Sequence, residues 1–180
     1  MAFTTINNGS LFMNTKLYTG NGSTNAITGV GFQPDFTWLK NRSVSQNHEL
    51  YDAVRGVTKA INSNTTSDET TYTNGLNAFG TDGFTVGDSA YINGNGNGIA
   101  SWNWLANGSG SANTDGDIAS TVSANTTSGF SIVSYTGNAT AGATVGHGLG
   151  VVPKMIIIKI RSGVGGLFIM YQLVIQKLVI

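Results

Sequence analysis

The 180-residue chain has no cysteine, two prolines and no surplus of charge, with nine basic side chains against nine acidic ones. Without cysteine there is no disulfide framework, no thiolate zinc site and no thiol nucleophile. A formal net charge of zero, with no block of Lys or Arg, lacks the electrostatic footprint that holds nucleic acid or anionic lipid, so neither is an expected partner. Long apolar runs are scarce as well. The stretch Met1 to Asn8 has neither the charged start nor the apolar segment of a signal peptide. The apolar stretch from Gly165 to Ile180 carries Gln172, Gln176 and Lys177. It is too short and too polar to cross a hydrocarbon layer about 30 Å thick, and no membrane insertion is expected.

What is present in quantity is Gly, Asn, Ser and Thr, which make up a little under half of the chain. Asn and Ser compete for backbone hydrogen bonds, Gly loses the most entropy in a helix and Thr is stiff at χ1, so the mixture favours strands and turns. A hydrophobic content of 40%, with aromatics spread from Phe3 to Tyr171, still suffices for a buried core. The composition therefore predicts an all-β protein rather than a disordered one.

Self-similarity organises the chain. Tyr18-Thr19-Gly20-Asn21, a Gly/Thr-rich interval, Pro34, then Lys40, Arg42 and Ser43 return as Tyr135-Thr136-Gly137-Asn138, Pro153, then Lys159, Arg161 and Ser162, with identical spacing from proline onward. This reads as a duplicated unit. The predicted architecture is an antiparallel β-sandwich, jelly-roll-like, with an incomplete second copy. Residues 1–110 form the sandwich domain, 111–126 a Gly/Ser/Asn/Asp-rich linker, and 127–180 the partial copy with an aberrant C-terminal tail. Phe36 to Lys40 alternates as a strand with one buried face, while Val151 to Lys159 is a β-branched run suited to a strand covered on both faces or an aggregation hazard. Between Ser45 and Ile61 one helical turn is expected beside a short strand. Asp82-Gly83 marks a hairpin, a second tight turn is expected across Asn93 to Gly98, and Ile99 to Trp104 reads as a strand with both indoles on one face.

Candidate chemistry is sparse. His48, Glu49 and Asp52 are close in sequence, but no second histidine is near, so packing is favoured over catalysis or a metal. Asp115-Gly116-Asp117 resembles part of a calcium loop whose other oxygen ligands are missing. Gly29-Val30-Gly31 and Gly146-His147-Gly148-Leu149-Gly150 precede strands, not helices, and read as strand-entry turns and not phosphate loops. The acids Asp35, Asp52, Asp82 and Asp88 show no paired spacing for glycoside hydrolysis. No catalytic residue, metal ligand or cofactor site is predicted. Trp38, Trp102, Trp104, Tyr51, Tyr72 and Tyr91 could stack on sugar rings. The competing reading, which we favour, puts Trp38 and one of Trp102 and Trp104 in the sandwich core.

Tyr18 to Asn21, the string Gly29 to Ser43, His48 to Gly56, Asp82 to Gly87, Trp102-Asn103-Trp104 and Gly146 to Ile156 resemble the repeated β-sandwich domain of tail-associated and other virion proteins of marine and cyanobacterial phages. The resemblance covers nearly all of residues 15–162. It implies a virion location and a non-enzymatic structural role as a fibre, appendage or decoration component, partnered by other virion proteins and assembled as a homo-oligomer. An adhesin binding host surface glycans through Trp102, Trp104 and Tyr91 is the alternative. The pattern breaks after Arg161-Ser162. Shifting the reading frame over Phe168 to Leu178 permits Tyr, Gly and Thr-Lys-Ala at the spacing of Tyr51, Gly56 and Thr58-Lys59-Ala60, so the tail is expected to be out-of-frame sequence.

Overall fold

The computed structural model describes residues 6–163 and the backbone of 167–171 and 178–179. Strands account for 42% of the chain and helix for 4%, and the sheets are antiparallel, so the protein is an all-β sandwich. In chain order the strands are β1 (Met13–Thr19), β2 (Asn25–Thr28), β3 (Phe36–Asn41), β4 (Glu49–Asp52), β5 (Lys59–Asn62), β6 (Thr70–Thr71), β7 (Leu76–Gly80) and β8 (Gly83–Val86). A four-residue helix α1 (Ala90–Asn93) then leads to β9 (Gly98–Trp104), β10 (Ser111–Asn113), β11 (Ser120–Asn125), β12 (Phe130–Tyr135), β13 (Thr144–Val145), β14 (Met155–Lys159), β15 (Leu167–Tyr171) and β16 (Leu178–Val179).

The first unit is two sheets face to face. A six-stranded sheet in the order β1-β9-β3-β4-β5-β6 packs on a three-stranded sheet in the order β2-β8-β7. Leu39, Tyr51, Ala60 and Ile99 from the first meet Ile27, Leu76, Phe84 and Val86 from the second in one apolar cluster, closed at one end by Ile92 of α1. A two-residue turn, Thr81-Asp82, joins β7 to β8, with Gly80 opposite Gly83 and Phe79 opposite Phe84, so the hairpin forms one position earlier than an Asp-Gly type I′ turn would set it. Between Ser45 and Ile61 the chain forms β4 and β5 joined by a turn, and no helix.

The inward face of β3 is not the one its aromatic residues suggest. Thr37, Leu39 and Asn41 are buried, and Phe36, Trp38 and Lys40 are half-buried on the opposite face. Trp38 and the indoles of β9 therefore lie outside the sandwich core, against the expectation that one pair fills it. Sheets stack about 10 Å apart. The small register pairs Thr37 with Asn103 and Leu39 with Ser101 allow the facing sheet that approach.

The second unit retraces the first. Strands β12, β13, β14 and β15 follow one another as β1, β2, β3 and β4 do. Phe36 opposite Asp52 and Trp38 opposite Leu50 become Met155 opposite Tyr171 and Ile157 opposite Ile169, at the same offset that relates Pro34 to Pro153. Residues 111–126, expected as a linker, instead carry β10 and β11, which pair with β12. Ser and Thr there satisfy the ladder as well as a loop would. Ile118, Ala143 and Val145, with Val133 and Tyr135 against them, form a small separate core. The expected out-of-frame tail lies outside the described residues, apart from the backbone of β15 and β16.

An ion network fastens the units together. Arg55 Nε lies 2.5 Å from Asp52 Oδ2 and its Nη1 3.1 Å from Glu69 Oε2. Glu69 in turn receives Arg161 from the end of β14 through Nε at 2.9 Å and Nη2 at 3.0 Å. The Glu69 amide also donates to the Arg161 carbonyl, and Lys159 Nζ to the Thr65 carbonyl.

Candidate functional site

The outer face of the six-stranded sheet carries an aromatic patch, built by strand parity. Every second residue of β9 points outward, and the register sets Trp102 between Thr15 of β1 and Trp38 of β3, and Trp104 between Met13 and Phe36. The two indoles meet different fates. Phe130, at the start of β12, stacks on Trp104 with ring centroids 6.0 Å apart and planes 21° from parallel. Phe36 closes the triad at 5.4 Å from Trp104 and 6.0 Å from Phe130. The second unit thus covers Trp104, and a shallow cleft beside it is lined by Phe12, Met13, Ser128 and Gly129.

Trp102 and Trp38 stay beyond that cover, next to Leu17, which is 58% exposed. Trp38 Nε1 donates to His48 Nδ1 at 2.8 Å, and the rings meet edge to face at 82°. Nδ1 must be unprotonated to accept, so this contact favours neutral imidazole. Burial and then the neighbouring Lys40 both hold the His48 pKa below its ordinary value.

Tyr91 does not join the indoles. It lies on α1 against Tyr72, with ring centroids 5.9 Å apart. The polar cleft lined by Ser23, Thr24, Asn74, Asn77 and Asp88 contains no aromatic wall. The three glycan candidates therefore occupy two places, and Trp104 is already stacked.

Strand parity turns Glu49 away from His48 and Asp52, and those two, on the same parity, lie at opposite ends of β4. His48 turns to Trp38, Asp52 to Arg55, and Glu49 inward, where the Tyr51 hydroxyl donates to its Oε2 at 2.6 Å. Asp115 Oδ2 accepts from the Asn113 side chain, and Asp117 Oδ2 from the Thr144 amide and hydroxyl, so these two acids serve separate turn contacts. No group of three or more His, Asp or Glu side chains that could hold a metal occurs among the described residues.

Glu49 is 1% exposed, and burial holds its carboxyl above the ordinary value, tempered by the Tyr51 hydroxyl. A raised acid binds its proton more tightly folded than unfolded, so stability falls as pH rises from 4.5 toward the folded value. Glu49→Gln is expected to remove that fall. Thermal melts across this pH range check it, and identical slopes for the two proteins would refute the assignment.

Two features carried no local signature: the joining of the local Arg55–Asp52 pair to Glu69 and Arg161, and the capping of the Gly29-Val30-Gly31 turn by Asp82. The Asp82-Gly83 hairpin signal pointed to the residue but not to its target.

Fold and site together define an antiparallel β-sandwich with an outer aromatic face partly covered by a second, shorter unit of the same strand path. The chain belongs to a domain family of unknown function, DUF7483, matched over residues 8–178 and so across both units. No curated protein and no solved structure matches it.

Proposed function

We propose that this protein is a non-enzymatic structural component of a phage virion, a fibre, appendage or decoration subunit that acts by binding and assembles as a homo-oligomer with other virion proteins. One observation carries the assembly reading. β3 is paired along both edges, by β9 and β4, whereas its counterpart β14 is paired among the described residues only with β15. Met155 at 55% and Ile157 at 40% exposure lie on that strand, with Ile160 at 39% just beyond it. An edge strand without proline, bulge or central charge is a template for pairing with another chain. The virion location rests on the resemblance of Gly29 to Ser43 and Gly146 to Ile156 to phage particle proteins.

Light scattering after size exclusion should find an oligomer that Ile157→Lys dissociates, and gold-labelled antibody should decorate purified particles. A monomer at micromolar concentration defeats the assembly reading. Unlabelled particles defeat the virion reading. The position of Trp102 beside Trp38, clear of Phe130, favours a second reading as a glycan-binding surface. Saturable binding on a glycan array that Trp102→Ala abolishes would favour adhesion over a purely structural role.

A further inference from the structure

The turn between β2 and β3 converges three consecutive N–H groups on one residue. Gly29 N and Gly31 N donate to the two carboxylate oxygens of Asp82 at 2.9 and 2.7 Å. Val30 N donates to the Asp82 carbonyl at 3.1 Å. Successive amides bent through positive φ form a concave anion nest, and Gly29 at 78° and Gly31 at 92° supply the bend. The Val30 side chain, fully buried between them, anchors the turn. In this unit the nest is filled from within, because the hairpin between β7 and β8 presents Asp82 at its tip.

The turn between β13 and β14 has positive-φ glycines at the same two positions and no occupant among the described residues. Gly148 at 70° and Gly150 at 71° flank Leu149, which is buried as Val30 is. Leu149 N donates to His147 Nδ1 at 3.2 Å, which satisfies the middle amide. Among the described residues nothing accepts from the Gly148 or Gly150 N–H, the two groups whose counterparts hold the carboxylate in the first unit. Both glycines are exposed; a Cβ built on Gly150 would meet nothing within 4 Å, and one on Gly148 would meet the Val122 and Ala124 side chains, so the mouth opens on the Gly150 side.

We propose that the Gly148–Gly150 turn is a docking site for an aspartate carboxylate of a partner protein, presented at a hairpin tip as Asp82 is presented to Gly29 and Gly31. The ligand class follows from the first nest, where the same amide pair takes a carboxylate. One difference sets its strength. Lys16 lies against Gly29 and adds positive charge, whereas the side chains against Gly148 are those of Val122 and Ala124, so the second nest holds its ligand by N–H groups alone. The site does not depend on whether the chain is a virion component.

The test is an amide-shift titration of the full ¹⁵N-labelled chain with a synthetic peptide carrying the sequence of residues 79–86, and separately with acetate. Saturable shifts are expected at Gly148 and Gly150, with Gly29 and Gly31 unmoved because Asp82 fills their nest. A peptide carrying Asp82→Asn should bind about tenfold more weakly, or less well still, because a charge-assisted pair of hydrogen bonds is lost. Silence at Gly148 and Gly150, or equal binding of the two peptides, overturns the proposal. Response to acetate without response to the peptide assigns the turn to small free carboxylates and overturns the hairpin partner.

Discussion

Arg55→Met is expected to destabilise the protein by about 3–5 kcal/mol, the cost of removing one member of a buried ion pair. The Arg55 side chain is 4% exposed, Asp52 6% and Glu69 13%, so water does not replace what the guanidinium supplies. Its Nε serves Asp52, Nη1 serves the Lys59 carbonyl and Glu69, and Nη2 serves the Leu50 carbonyl. Methionine keeps the apolar stem and takes the guanidinium from two carboxylates and two carbonyls, leaving Asp52 with the residue 55 amide and Glu69 with Arg161. Lysine would restore the charge without the planar fork, and should recover only part of the loss. Arg161 reaches Glu69 from the other side, but at 44% exposure it is screened by solvent. Arg161→Ala should therefore cost no more than about 1 kcal/mol. Urea unfolding of both variants checks the contrast, and comparable losses would show that the network is not buried in solution.

Leu39→Ala is expected to cost about 2–5 kcal/mol, whereas Leu17→Ala should stay within about 0.5 kcal/mol. Leu39 is fully buried beside Tyr51, Phe84 and Ile99, and truncating it leaves a cavity that two hydrogen-bonded sheets cannot close. Leu17 stands on the outer face, 58% exposed. The comparison decides which phase of the strand alternation faces the core. If Leu17→Ala proved the more damaging, the core would have to lie on the aromatic side of the sheet.

That phase is where reading the chain alone falls short. β3 carries Phe36 and Trp38 on one face and Leu39 on the other, so its period of two is plain while its inward side is not. Bulk argued for the indoles. The structure chose Thr37, Leu39 and Asn41, because the inward face must match the facing sheet, and that match involves Phe84 and Leu76, far along the chain. The same holds for the candidate site. The grouping of Trp102 and Trp104 on one face follows from their spacing, but the stacking of Phe130 on Trp104 and not on Trp102 depends on how the second unit docks.

The amino-acid sequence by itself determined the all-β character, the hairpin at Asp82-Gly83 and the glycine-flanked turns ahead of β3 and β14, since each rests on local backbone preference. Tertiary structure alone decided which sheet face became the core, that Glu69 met Arg55, and that Asp82 fills one nest while the other stays open among the described residues. Local preference acts over a few residues and is written in them. Pairing between distant strands is a choice among many partners of similar propensity, and only the closed sandwich, by excluding water and penalising unpaired buried backbone groups, selects one.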